Sequence, residues 1–236
     1  MDAPLKPRYD AVVIGARCAG ASTAMLLARR GMDVLLVDRD RRGADTLSTL
    51  ALMRAGVLQL HRWGVLDRVR AEGAAPIRST SFVYGDEVIE VPIKLRDGVD
   101  TLYAPRRTSL DALLADAAAD AGADVRYGPR LVDLVHASDG RVTGAVIEDR
   151  DRAVHRVAAD VVIGADGLKS TVAKTVGAAA YREGRHAAAA AYAFWSGLEN
   201  RGNRWYYRAG VSVGAIPTND GNTCVFVAIP PSRFRD

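Results

Sequence analysis

Residues 9–20 of the chain read YDAVVIGARCAG, and this stretch decides the fold. Residues 9–14 are rich in β-branched side chains and stop at Gly15, a pattern typical of a buried parallel strand that ends in a tight turn. Residues 18–30 are mostly Ala, Leu and Met, which favour a helix, and residues 33–37 form a second apolar run. Because strand, helix and strand follow within about thirty residues, the segment predicts a right-handed βαβ unit.

The turn between the first strand and the helix has the spacing of a dinucleotide-binding fingerprint, and its residues are Gly15, Ala16, Arg17, Cys18, Ala19 and Gly20. Gly15 permits the sharp turn, Gly20 permits close helix packing, and the helix amino terminus offers N–H groups to a pyrophosphate. Asp38 ends the second strand about 20 residues later, where an acid binds ribose hydroxyls. We predict a dinucleotide site; the alternative is an ordinary strand, turn and helix with chance glycines.

Arg17 departs from the fingerprint, because it stands where a second glycine normally lets the backbone approach the pyrophosphate. Its guanidinium either adds a charge-assisted contact to a phosphate or pushes the diphosphate away, and the sequence leaves both open. Cys18 lies near the helix amino terminus, where a thiol has some prospect of redox activity. We favour the alternative that Cys18 is a small apolar packing residue.

The rest of the chain alternates between strand and helix patterns. An antiparallel hairpin over residues 78–93 turns at Gly85 and Asp86, and a helix covers residues 109–121. A three-stranded meander follows, over residues 130–136, 141–148 and 153–157. A buried strand over residues 160–163 comes next. The last part of the chain predicts a second, antiparallel sheet with strands at 187–197, 204–207, 211–216 and 223–229. The fold class is therefore α/β, with a Rossmann-like dinucleotide-binding domain that contains the three-stranded β-meander, plus an antiparallel β-sheet.

Composition excludes several classes of function. The chain has 236 residues and a net charge of +4 with alternating signs, so no nucleic-acid footprint is expected. No apolar run approaches the roughly 18 residues that a membrane span needs. Two cysteines, with no cluster of metal-ligand spacing, predict neither a disulfide framework nor a metal site and favour a reducing, cytoplasmic setting.

Three blocks along the chain give it a resemblance to a known class. They are the fingerprint with Asp38, the helix start Arg107-Thr108-Ser109-Leu110, and the motif Gly164-Ala165-Asp166-Gly167. In this order they resemble the para-hydroxybenzoate hydroxylase class of FAD-dependent oxidoreductases, which includes aromatic-ring monooxygenases and geranylgeranyl-reductase-like enzymes. The resemblance implies a discontinuous FAD-binding domain over residues 1–77 and 97–183, and a substrate-domain sheet over residues 78–96 and 184–236.

The resemblance also implies roles for single residues. Arg107 matches an arginine that contacts the flavin cofactor, and Asp166 and Gly167 match a motif that helps to hold FAD. Leu131 matches an apolar position whose backbone lies beside the adenine. Two structural alternatives remain: Arg107 as a solvated residue at a helix start, and Asp166 as a turn or helix-cap acid.

The function implied is that of a bacterial flavoprotein: an NAD(P)H-dependent, FAD-dependent monooxygenase acting on an apolar or aromatic small molecule. The alternatives are a flavin-dependent reductase of prenyl double bonds and a non-catalytic nucleotide-binding module. We expect the substrate between the nucleotide-binding domain and the second sheet, whose strands contain Tyr192, Phe194, Trp195, Trp205, Tyr206 and Tyr207. The class usually has a later Gly-Asp motif and carboxyl-terminal helices, and the given sequence, which ends at Asp236, contains neither. We therefore expect a truncated or short form that binds FAD weakly.

Overall fold

The computed structural model describes residues 4–48, 51–184 and 187–234 of the chain. Residues 1–3 and 49–50 of the predicted FAD-binding domain, and residues 185–186 and 235–236 of the predicted substrate domain, lie outside these ranges. Contacts divide the chain into two compact units, one formed by residues 1–45 and 110–180 and the other by residues 46–109 and 181–236. Among the described residues, no helix is long and apolar enough to cross a membrane, and no group of three or more His, Cys, Asp or Glu is placed to hold a metal ion.

In chain order the described strands and helices are β1 (Arg8–Ile14), α1 (Cys18–Ala28), β2 (Val34–Asp38), α2 (Arg54–Arg62), α3 (Leu66–Ala71), β3 (Ser79–Tyr84), β4 (Glu87–Pro92), α4 (Arg107–Asp120), β5 (Asp124–Tyr127), β6 (Arg130–His136), β7 (Val142–Glu148), β8 (Val154–Gly164), α5 (Thr171–Thr175), β9 (Ala189–Trp195), β10 (Asn203–Arg208), β11 (Val211–Pro217) and β12 (Thr223–Ile229).

The sheet of the first unit has the strand order β5-β2-β1-β8-β7-β6. The neighbours from β5 to β8 run parallel, and β8, β7 and β6 form an antiparallel meander. The predicted βαβ unit, the meander and the α/β class are therefore confirmed. The prediction of separate strands at 153–157 and 160–163 is wrong, because Ala158 pairs with both Gly144 and Arg8 and the chain continues as one strand, β8.

The core of the first unit lies where the meander packs on the parallel strands. Alternate positions of a strand point to the same face, so the inward side chains of β1 and β2 face those of the meander. The buried cluster contains Val12, Ile14, Leu35, Val37, Leu131, Leu134, Ala145, Ile147 and Val172. Apolar burial at this interface fixes the ends of β1 and β2, which hold the candidate site.

The sheet of the second unit has the strand order β4-β3-β10-β11-β12-β9. The predicted hairpin turn is confirmed, since Tyr84 pairs with Glu87 across residues 85 and 86. The sheet is antiparallel except that β3 and β10 run parallel, which the sequence analysis did not predict. No hairpin joins these two strands, so no tight turn forces them to run in opposite directions.

The compact units differ from the predicted domains at residues 46–77 and 97–109, and also at residues 181–183, all of which belong to the second unit. Isolated bridges pair Leu52 with Tyr103 and Ile77 with Leu102, and so tie the first two of these segments to each other. Strand pairing between distant segments is not visible in local sequence patterns. The functional assignment of these segments to a FAD-binding domain stays a prediction.

Candidate cofactor-binding site

The fingerprint turn is closed by a glycine that no other residue replaces without strain. Gly15 has a φ of +103°, and a Cβ at this position would lie 2.4 Å from the carbonyl oxygen of Ala165. Its N–H donates to the carbonyl of Val37 at 2.7 Å. The turn is therefore held between the end of β2 and the residues that follow β8, and Gly15 has the turn role predicted for it.

The second fingerprint glycine allows α1 to pack directly on this turn. A Cβ on Gly20 would lie 1.8 Å from the carbonyl oxygen of Gly15 and 3.1 Å from the Cβ of Ala165. The close-packing role predicted for Gly20 is therefore present in the structure. Since Gly15 and Gly20 both approach Ala165, the fingerprint and the motif at 164–167 lie side by side.

Asp38 connects the turn to the end of β2 through its buried carboxylate. Its Oδ2 accepts the N–H of Ala16 at 2.7 Å, and its Oδ1 accepts the N–H of Asp40 at 2.8 Å. Each oxygen of a carboxylate accepts more than one hydrogen bond, so this geometry leaves capacity for a hydroxyl. The contact of Asp38 with a ribose stays a prediction.

Asp111 is a buried site residue that the sequence analysis missed. Its Oδ1 accepts the N–H of Cys18 at 3.1 Å and lies 3.0 Å from the Cys18 thiol sulfur. Through this contact α4 supplies a carboxylate to the first turn of α1, which stabilises a helix amino terminus. The available signal was an acid among Leu110, Leu113 and Leu114, on a stretch of α4 that is otherwise apolar and buried.

A groove opens beside the fingerprint turn within the first unit. Its lining consists of Ala16, Arg17, Asp38, Asp40, Arg41, Gly43, Ala44, Asp111 and Tyr127. Tyr127 ends β5 and was also missed from the sequence. Burial raises the pKa of its hydroxyl to about 12, and the charge of Asp38 acts in the same direction, so Tyr127 stays protonated as a hydrogen-bond donor at neutral pH.

Asp166 accepts hydrogen bonds at the amino terminus of the short helix α5, whose N-cap residue is Ser170. Its Oδ2 accepts the N–H of Thr171 at 2.5 Å, and its Oδ1 accepts the hydroxyl of Ser170 at 2.5 Å. The helix-cap alternative for Asp166 is therefore present in the structure. Directly before it, the N–H of Ala165 donates to the carbonyl of Ile14 at 2.8 Å, which holds this strand end beside the turn. Gly167 has a φ of +83°, and no atom lies within 4 Å of the position that a Cβ would take.

The cap geometry predicts a loss of stability in Asp166→Ala. Removing a side-chain acceptor at a helix amino terminus costs about 1 to 2 kcal/mol. Urea unfolding followed by far-ultraviolet circular dichroism measures the change. Asp139→Ala is the control, since that exposed aspartate accepts only the N–H of Arg141, in a hairpin turn. An equal loss in both variants would contradict the importance of the cap.

The two remaining predicted residues lie on other elements. Leu131, on β6, is buried in the core of the first unit. It follows Gly128 by three residues, and the N–H of Gly128 donates to the carbonyl of Asp38 at 2.7 Å. Arg107 is the first residue of α4, one turn before Asp111, and belongs to the second unit. Their contacts with FAD stay predictions.

The residues of the groove fit the adenosine diphosphate half of FAD. The amino terminus of α1 attracts phosphate through its N–H groups and its dipole. Arg17 offers a guanidinium and Asp38 a hydrogen-bonding carboxylate within the same groove. A glycine-containing turn, a helix amino terminus and an acid at the end of the neighbouring parallel strand define the class of dinucleotide-binding α/β proteins.

Comparison with known proteins identifies the family within this class. The chain belongs to the FAD binding domain family, whose sequence profile matches residues 8–230. It is 35% identical over 185 residues to the menaquinone reductase of Mycolicibacterium smegmatis, which covers 76% of this chain and 42% of that protein. It is 30% identical over 191 residues to the aklavinone 12-hydroxylase DnrF of Streptomyces peucetius, which covers 73% and 38%.

The fold has a close counterpart among solved structures. PqsL of Pseudomonas aeruginosa, described as a probable FAD-dependent monooxygenase, superimposes with a TM-score of 0.82 at 19% identity, covering 97% of this chain and 62% of that one. Family and fold together confirm the resemblance deduced from the three motif blocks. The chain spans about two fifths of the length of the two curated relatives.

Proposed function

We propose that this chain forms the cofactor-binding part of an FAD-dependent monooxygenase that takes electrons from NAD(P)H and acts on an apolar or aromatic small molecule. The observation that supports it best is the meeting of the Gly15 turn, the strand end at Ala165 and the groove beside Asp38 within one unit. FAD, when bound, supplies the redox chemistry. The chain's own residues bind the cofactor and orient it.

In this proposal the fingerprint residues 15–20 hold the pyrophosphate, and Asp38 binds a ribose hydroxyl. The backbone at Leu131 lies beside the adenine, and Arg107 and the Asp166-Gly167 motif contact the remainder of FAD. The hydrogen bonds of Asp38 to two backbone N–H groups support its part, because they fix the carboxylate at the groove. A rigid binding group loses little conformational freedom when the ligand arrives.

The second sheet is proposed as the substrate-binding part. By the strand register, Phe82, Trp205, Phe226 and Tyr192 lie in one row on one face, with Gly214 between Trp205 and Phe226. A Cβ on Gly214 would lie 2.1 Å from the Phe226 ring, so this glycine leaves space for the aromatic row. Trp205 and Phe226 meet edge to face at 5.5 Å. A row of rings offers apolar surface to a planar substrate.

Not all of the predicted aromatic residues share this face. Side chains alternate along a strand, so Tyr192, Phe194, Trp205 and Tyr207 lie on one face while Trp195 and Tyr206 lie on the other. Within the second unit, the guanidinium of Arg106 lies 3.7 Å from the centre of the Phe194 ring. The proposed substrate surface is therefore the face that contains Trp205 and Phe194.

The second candidate function is reduction of a prenyl double bond, which is supported by the 35% identity to a menaquinone reductase. The cytoplasmic and bacterial setting belongs to the proposal as well. It is supported by the two thiols of the described chain, Cys18 and Cys224, which form no disulfide with each other, and by the bacterial source of both curated relatives.

Competition between FAD and NAD, measured by titration calorimetry on the purified 236-residue chain, tests the proposal. We expect FAD to bind and to exclude NAD from the same site. Binding of NAD alone would instead indicate a dehydrogenase or a nucleotide sensor. With FAD bound, NAD(P)H-driven conversion of a substrate that requires molecular oxygen indicates the monooxygenase, and saturation of a prenyl double bond without oxygen indicates the reductase.

A further inference from the structure

Arg17 is paired with Asp40 at the candidate cofactor site. Its Nη2 lies 3.1 Å from Oδ2 of Asp40, and both side chains line the groove beside the fingerprint turn. The two side chains are 32% and 43% exposed. An ion pair with this much exposure is screened by water and contributes little to stability, so it is readily exchanged for a stronger partner.

The charges around the groove show why such an exchange matters. Three carboxylates line it, those of Asp38, Asp40 and Asp111, against the two guanidinium groups of Arg17 and Arg41. A pyrophosphate that enters therefore meets a lining with an excess of negative charge. The carboxylates of Asp38 and Asp111 accept hydrogen bonds from backbone N–H groups of the turn, whereas the carboxylate of Asp40 accepts a hydrogen bond from the guanidinium of Arg17.

We propose that Arg17 exchanges partners when the cofactor binds: its guanidinium leaves the Asp40 carboxylate and binds the cofactor's pyrophosphate. Asp40 is then a positioning residue that holds Arg17 at the groove in the free protein and competes with the phosphates for it. This inference rests on the proposed function, because it takes the fingerprint turn as the pyrophosphate site. It also resolves the question raised by the sequence, since Arg17 contributes a phosphate contact and does not exclude the diphosphate.

The physical basis is the difference between the two partners of Arg17. A guanidinium forms charge-assisted, often bidentate hydrogen bonds with phosphate oxygens. At the amino terminus of α1 a pyrophosphate adds the attraction of the helix dipole. The exposed carboxylate of Asp40 offers a single charge in an environment of high dielectric constant, so Arg17 binds the pyrophosphate more strongly than it binds Asp40. Because Asp40 competes for Arg17, it lowers the apparent affinity of the protein for the cofactor.

The test is the affinity of the full chain for ADP and for adenosine, measured by calorimetry in wild type and Asp40→Asn. We expect Asp40→Asn to bind ADP about two- to fivefold more tightly, because Arg17 no longer has a charged competitor. Adenosine has no phosphate, so its affinity should not change. The gain for ADP should shrink as salt is raised, because ions screen the guanidinium.

Asp33→Asn is the matched control. Asp33 directly precedes the first residue of β2, whereas the groove lies at the last residue of that strand. The Asp33 side chain is 40% exposed and pairs with Lys6 at 2.8 Å, so Asp33→Asn makes the same charge change away from the groove. It should leave ADP affinity unchanged. In an Arg17→Gln background ADP binding should be weaker, and Asp40→Asn should then bring no comparable gain.

Three results would overturn the exchange. The first is an ADP affinity in Asp40→Asn equal to or below that of Asp33→Asn. The second is an equal gain for adenosine, and the third is an undiminished gain in the Arg17→Gln background. In each of these cases the wild type still binds ADP, and the proposed function stands. A wild-type chain that binds neither ADP nor FAD would overturn the proposed function together with the exchange.

Discussion

Gly15→Ala is expected to lower the free energy of unfolding of the first unit by about 3 to 5 kcal/mol. Two costs add. The φ of +103° is unfavourable for any side chain with a Cβ, and the Cβ would lie 2.4 Å from the Ala165 carbonyl oxygen. Since the clash involves backbone on both sides, it is relieved only if the turn and the end of β8 move apart.

Gly122→Ala separates these two costs. Gly122 has the same φ of +103°, but no atom lies within 4 Å of its ideal Cβ, so only the conformational cost remains, about 1 to 2 kcal/mol. Urea unfolding followed by far-ultraviolet circular dichroism compares the two variants. A larger loss in Gly15→Ala supports the packed turn, and equal losses would show that the turn and Ala165 are not in contact.

Asp38→Ala is expected to weaken FAD binding by about 1 to 3 kcal/mol, and to loosen the turn even without a ligand. The substitution removes the acceptor for the N–H groups of Ala16 and Asp40, and both donors belong to the groove. It also removes the carboxylate proposed to bind a ribose hydroxyl. The two consequences are measured separately, by calorimetry with FAD and by unfolding of the free protein.

Asp10→Ala is a matched control for the structural part of this loss. Asp10, on β1, accepts the N–H of Asp33 at 2.7 Å, so it also ties β1 to the start of β2 through a backbone donor. This bond lies at the opposite end of β2 from the groove. We expect Asp10→Ala to lose stability while FAD affinity is retained. Unchanged FAD affinity in Asp38→Ala would refute the ribose assignment.

Much of the first unit was predictable because its signals are local. The run of residues 9–14, the turn at Gly15 and the acid at position 38 lie within one βαβ unit, so their spacing is set by the lengths of a strand and a helix. The hairpin turn at residues 85 and 86 was predictable for the same reason. Backbone preferences and side-chain periodicity depend on the residue types within a short window of the chain, so they are visible in the sequence alone.

Contacts between distant segments were not predictable in this way. Asp111 reaches the N–H of Cys18 from 93 positions along the chain, and β3 pairs in parallel with β10 although no hairpin joins them. The continuity of β8 depends on Ala158, which has a partner on each side. Such pairings follow from how whole elements pack.

The sequence by itself therefore determined the βαβ unit, the two glycines and Asp38 of its dinucleotide-binding fingerprint, and the membership in an FAD binding domain family. Only the tertiary structure decided what each polar group contacts. It gave Arg17 the partner Asp40, gave Asp166 the amino terminus of α5, and brought Asp111 and Tyr127 to the groove. The physical reason is that a residue type limits which bonds are possible, whereas folding decides which partners come within hydrogen-bond distance.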